Sequence, residues 1–159
     1  MGTVSVPRDA VADELAIRDL VNRYADAASR RDPVGVADTF TADGEWVSAP
    51  IGHPRGRDEL RAFFGGLLEG WNLFLQGVLS GRVHLDPTEH DRAAGRWYIW
   101  EIGQLSDGTD FASSGVYHDE YVRDAGTWRF ARRRYDSLLR RMGDTVTTSP
   151  FPSDAPDVE

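Results

Sequence analysis

The chain has 159 residues, enough for one domain with a substantial core, and a net charge of −8, which argues against general nucleic-acid affinity. All 18 basic residues are arginine and there is no cysteine, so Schiff-base and P-loop lysines, thiolate nucleophiles, disulfides and cysteine-ligated clusters are excluded. The opening residues, Met1 to Val6, lack the basic stretch and apolar core of a secretion signal. No apolar run approaches the ~18 residues of a membrane helix. The expectation is a cytoplasmic protein with neither a membrane nor a nucleic-acid partner.

Over residues 9–31, Val11, Leu15, Ile17, Leu20, Val21, Tyr24 and Ala28 recur at helical spacing, with acidic residues early and Arg30 and Arg31 late. This predicts an amphipathic helix with Tyr24 on its buried side. Asp32-Pro33 then reads as an N-cap followed by a first-turn proline, opening a short helix through Phe40. Residues 45–48 read as a short strand, and residues 57–68 as a third helix with Leu60, Phe63, Phe64, Leu67 and Leu68 on its apolar side. The period then changes, and residues 73–85, 93–105, 111–123 and 128–139 read as four strands separated by Asp86-Pro87, Asp107-Gly108 and a Gly/Asp-rich turn.

The last two strands form the best-defined object, a hairpin around Asp124-Ala125-Gly126-Thr127. Alternation puts Tyr117, Asp119 and Tyr121 on one face. If that face lines a cavity, Asp119 is desolvated and its pKa rises, which suits proton chemistry; otherwise it is a surface carboxylate in a polar hairpin. Three helices followed by antiparallel strands give an α+β class, with helices packed on one face of a curved sheet. The strand around 96–102 is apolar on both sides, with Tyr98, Trp100 and Ile102 facing one way and Trp97, Ile99 and Glu101 the other. Since the helices cover only one face, a homodimer through the other is expected. From Met142 the composition shifts to Asp, Thr, Ser and Pro. Residues 1–141 are therefore taken as the domain and 142–159 as a tail, either disordered or a lid with Phe151 as its apolar contact.

The segment from Arg23 to Asp32, the turn from Phe40 to Trp46, and the closing hairpin with Trp128 and Arg133 resemble the SnoaL-like superfamily. That group includes ketosteroid isomerase, scytalone dehydratase, hexachlorocyclohexane dehydrochlorinase and the nuclear transport factor 2-like proteins. The resemblance implies a cone: a curved, mostly antiparallel mixed sheet wrapped around a long N-terminal helix, with a deep apolar pocket. It matches Tyr24 to the oxyanion-hole tyrosine of ketosteroid isomerase and Asp119 to that enzyme's protonated aspartic acid. The chain also departs from the family's pattern. Ser29 stands where the dehydratases and the dehydrochlorinase place a catalytic aspartate, Val78 is aligned with their histidine, and Ala49 with the general base of ketosteroid isomerase.

Glu101 shares a strand face with Trp97 and Ile99, and by resemblance that face points into the pocket. A carboxylate among such neighbours needs a raised pKa or a partner, and Arg133 is the partner expected, whether for chemistry or as a structural ion pair. Trp46, Phe63, Leu67, Trp71, Val78, Trp97 and Tyr117 are the expected lining, suited to a hydrophobic cyclic ligand. No two of His53, His84, His90 and His118 have helical metal-ligand spacing, so no metal is expected. The reading is a cofactor-independent acid/base enzyme: an isomerase, dehydratase or cyclase. Tyr24 and Asp119 would stabilise an oxyanion, and Glu101 would carry the proton, oriented by Arg133. The alternatives are a ligand-binding protein that has lost the family's chemistry, and a pericyclic or epoxide-opening cyclase.

Overall fold

In a computed structural model, which describes residues 9–158, local chemistry sets the helix boundaries. Helix α1 (Ala10–Ser29) begins where the Asp9 carboxylate accepts a hydrogen bond from the Ala12 N–H, and α2 (Pro33–Asp38) where Asp32 accepts from Gly35. The buried stripe of α1 is Asp13, Ile17, Leu20, Val21, Tyr24 and Ala28. Val11 and Leu15, expected on that stripe, lie around the opposite side and are exposed. Their end of the helix is anchored instead by Asp13, which accepts hydrogen bonds from Arg123 at 2.6 Å and from the Trp128 indole at 3.1 Å. Helix α3 (Arg57–Glu69) buries Leu60, Phe64 and Leu68.

There are six strands, the first between α2 and α3 and the others after α3: β1 (Phe40–Val47), β2 (Trp71–Leu85), β3 (Arg92–Leu105), β4 (Asp110–Asp124), β5 (Thr127–Met142) and β6 (Thr145–Thr148). They form one curved mixed sheet in the order β1-β5-β4-β3-β2. β1 pairs parallel to β5 near Arg132 to Arg134, β6 pairs with β5 beyond Leu139, and the remaining pairs are antiparallel. The β4–β5 turn puts Ala125 and Gly126 at φ +48° and +83°, the left-handed pair that a tight hairpin demands. The first strand starts at Phe40, five residues before the expected start at residue 45, and Phe40 itself is fully buried against Phe130 and Tyr24.

Directly opposed residues share a face, so the register sorts the sheet into rows. On the face covered by α1 these are Gly95–Asp119–Arg133, Trp97–Tyr117–Tyr135, Ile99–Gly115–Ser137 and Glu101–Ser113–Arg140. The other face carries Leu73, Leu75, Leu79, Trp100 and Leu139, all substantially exposed. The segment after Met142, expected as a disordered tail or a lid, adds β6 and then lies on this outer face. The Phe151 ring stands edge-on to His118 at 5.8 Å, and Asp154 pairs with Arg134 at 2.8 Å.

Candidate functional site

Between α1, α3 and the inner face of the sheet lies a cavity of about 460 Å³. Its wall is largely apolar: Tyr24 and Ala28 from α1, Phe64, Leu67 and Leu68 from α3, and Trp46, Trp71, Phe74 and Phe111 from the strands. These side chains meet edge to face, with Tyr24 against Phe64 at 6.1 Å, Trp46 against Phe64 at 5.6 Å and Trp71 against Phe111 at 4.9 Å.

The polar groups form one connected network. Glu101 is the sole carboxylate among the described lining residues, and one oxygen accepts from Gln76 Nε2 at 2.8 Å while the other accepts from Ser113 Oγ at 3.1 Å. Ser113 also meets the Tyr135 hydroxyl at 3.0 Å. Gln76 Nε2 lies 3.4 Å from the Tyr117 hydroxyl, which is 3.3 Å from that of Tyr24. Burial pushes the Glu101 carboxyl above its ordinary value, and the two hydrogen bonds offset that only in part. Desolvation also raises the phenols, Tyr24 to about 12 and Tyr117 and Tyr135 as well, so all three stay protonated donors.

Several expected placements differ. Arg133 does not pair with Glu101; its Nε lies 3.1 Å from Asp119 Oδ1, directly across β4 and β5. On β3 the rows holding Asp119 and Glu101 are six residues apart, roughly 20 Å along the strands, which no arginine spans. The Arg133 guanidinium is enclosed by the rings of Tyr117, Tyr24 and Phe130 at 3.7, 4.2 and 4.3 Å. Asp119 is fully buried behind those rings and is not part of the cavity wall, so it cannot donate to a ligand there. Burial pushes its carboxyl up to about 6 against the pull of Arg133 and the 2.8 Å hydrogen bond from Tyr121, which leaves it ionised at neutral pH. Trp97 is also in this deep layer, its indole donating to Tyr121 at 2.7 Å.

Phe63 packs behind Trp46 at 5.5 Å, and Val78 packs against the core without reaching the cavity. The polar β2 residue that lines the cavity, beside Trp71 and Phe74 of the same strand, is Gln76, whose backbone N–H donates to Ser29 Oγ at 3.0 Å. Of the expected site residues, Tyr24, Glu101, Trp46, Leu67, Trp71 and Tyr117 line the cavity; Asp119, Arg133, Phe63, Val78 and Trp97 support it from behind. His118 points to the outer face, and His53 hydrogen-bonds Glu45 outside the cavity wall. Gln76, Ser113 and Tyr135 were not anticipated. Gln76 is the polar residue within Leu73-Phe74-Leu75-Gln76-Gly77-Val78, an interruption that carries a signal in retrospect.

Comparison with known proteins matches residues 9–134 to the model of the SnoaL-like domain. The chain is 27% identical over 127 residues to gamma-hexachlorocyclohexane dehydrochlorinase of Sphingobium indicum, covering 79% of this chain and 80% of that protein. Among solved structures it is similar to hexachlorocyclohexane dehydrochlorinase LinA-type3 of Novosphingobium barchaimii LL02, with TM-score 0.77, 21% identity, and 89% and 97% of the two chains covered. A scytalone dehydratase candidate from Novosphingobium aromaticivorans DSM 12444 superposes with TM-score 0.77 at 20% identity, covering 92% and 97%.

Proposed function

The chain belongs to the SnoaL-like domain family, and from that premise we propose that it is a cofactor-independent enzyme that moves protons on a hydrophobic cyclic small molecule. The observation that carries this is the position of Glu101: one carboxylate at the wall of an apolar cavity, both oxygens oriented by neutral donors, with no cation beside it. Such a group binds a proton more readily than a surface glutamate, which suits it to take a proton from carbon and return it. Tyr24, Tyr117 and Tyr135 keep their protons and stand within one network of the carboxylate, ready to donate to charge developing on the ring or on a leaving group. The Arg133–Asp119 pair holds two of those rings from behind and acts through them as a positioning element. Elimination, dehydration and isomerisation all need this set, and the dehydrochlorinase relative points to elimination from a substituted ring.

The test does not depend on the natural substrate. The purified protein is incubated in D₂O with a cyclic ketone, followed by NMR for exchange at the carbon beside the carbonyl, and with a chlorinated cyclohexane, followed for chloride release. Proton transfer by wild type and its loss in Glu101→Gln is the expected result. A protein that binds such rings and transfers no proton from either would overturn the reading.

That outcome would favour a ligand-binding protein, a reading supported by one feature: no imidazole and no second carboxylate are among the described lining residues. For assembly, the proposal is a homodimer through the outer sheet face, where Leu75, Leu79 and Trp100 are 44, 60 and 50% exposed.

A further inference from the structure

The pairing of the strands carries the polar groups of the cavity beyond Glu101. Gln76, Glu101, Ser113, Arg140 and Thr147 oppose one another in succession, so a single polar row crosses the inner face from β2 to β6. With strands about 4.8 Å apart, the backbones of Glu101 and Arg140 are roughly 10 Å apart. Arg140 lies at the mouth of the cavity, and with Met142, Thr145 and Thr147 it also forms an adjoining depression of about 260 Å³.

Besides Arg140, Arg141 on the opposite face of β5 has no carboxylate partner among the described residues, while the other arginines of the strand are matched. Arg132 pairs with Glu45, Arg133 with Asp119, and Arg134 with Asp136 and Asp154. Among the described residues no carboxylate pairs with Arg140, although the chain as a whole is acidic. The row is therefore a dipole. Its deep end carries a carboxylate, and its outer end carries an unmatched guanidinium beside two threonine hydroxyls. An anion pushed into the deep end would meet Glu101, whereas one left at the mouth would meet Arg140.

We infer that the substrate is an amphiphilic anion: an apolar ring seated against Trp46, Phe74 and Tyr135, with one carboxylate or similarly charged group held at Arg140 and the hydroxyls of Thr145 and Thr147. This rests on the proposed function, because it is Glu101 that the ring must face. Arg140 then fixes the orientation, head outward, and sets the preference for charged over neutral rings of the same shape.

The experiment is a binding titration of the full chain, read by calorimetry at pH 8 and low salt, with 4-(2-naphthyl)butanoate and its primary amide. Wild type should bind the acid about tenfold more tightly than the amide, as one charge-assisted contact at a partly open site provides, and the preference should shrink as salt is added. Arg140→Gln should bring the affinity ratio close to one, while Glu101→Gln should keep or enlarge it. Equal affinity of wild type for the two ligands, or a preference that survives in Arg140→Gln, overturns the inference and leaves the apolar cavity standing. If neither ligand binds, the cavity reading falls as well. Unchanged proton transfer in Glu101→Gln with the preference intact would overturn only the proposed role of the carboxylate.

Discussion

Replacing Glu101 with glutamine should make the protein more stable at neutral pH while removing the proposed proton carrier. In the folded chain the carboxyl is desolvated, it has no cation beside it, and two neutral donors only partly offset its burial. Its folded pKa therefore lies above the ordinary glutamate value of 4.5. Between those two values the folded state holds a proton that the unfolded state has released, so stability declines as pH rises through the interval. A tenfold difference in proton affinity between the two states amounts to about 1.4 kcal/mol, and in a domain of this size 1 kcal/mol moves the melting midpoint by about 2–4 °C. The amide keeps the shape of the carboxyl, accepts from Gln76 through its oxygen and can donate to Ser113, so it takes on the stability without the titration. Thermal melts of both proteins from pH 4 to pH 8 should coincide below about 4.5, then diverge with the variant higher, and run parallel once Glu101 is ionised in the fold. A variant that melts lower than wild type at pH 8, or a gap that does not change with pH, would refute the claim that Glu101 is held in a desolvated, cation-free site.

Arg133→Met should cost about 3–5 kcal/mol at pH 8, because it leaves a buried carboxylate without its cation. Arg133 holds the Asp119 pKa down, so in the variant that pKa rises beyond about 6, and the loss should be smaller at pH 5, where Asp119 takes up a proton; a loss equal at both pH values in chemical melts would contradict this. Trp100→Glu on the outer face should convert a dimer to a monomer in sedimentation equilibrium, and a wild type that is itself monomeric would end the proposal for that face. Truncation after Ser149 removes the Phe151 edge contact with His118, the buried Val158 and the exposed Asp154 pair with Arg134. It should lower the melting midpoint by a few degrees and leave binding of a naphthyl ligand unchanged, whereas a fall in affinity would make the segment a lid.

What the sequence made legible was periodicity. The long first helix, the short capped second one and the four central strands follow from apolar spacing and from Asp32-Pro33, Asp107-Gly108 and Ala125-Gly126, each with a local physical cause. Which strand residues share a face was legible too, grouping Glu101 with Trp97 and Ile99, and Tyr117 with Asp119 and Tyr121; that the Glu101 face points into the pocket came from the family resemblance. Depth along the strand was not legible. Alternation repeats every two residues, so Asp119 and Glu101 look equivalent when one is sealed behind three rings and the other meets the cavity.

The decisive quantity is register, and two irregularities in the β4–β5 pair set it. The hairpin turn pairs Asp124 with Thr127 and Arg123 with Trp128, and by uniform counting Asp119 would face Arg132. A bulge between Glu120 and Tyr121 moves the partner on by one, so Arg133 is the one of three consecutive arginines that turns inward and is caged. A second shift between Ser114 and Gly115 moves the register by one more, which sets Arg140 opposite Ser113, where counting from the turn without either bulge would have set Leu138. Neither bulge is marked by a residue that only a bulge would require. Yet the first decides which cation supports the phenols, and the second puts a cation in the same row as Glu101. The chemistry available at the mouth of this cavity therefore depends on two single-residue slips in one hairpin.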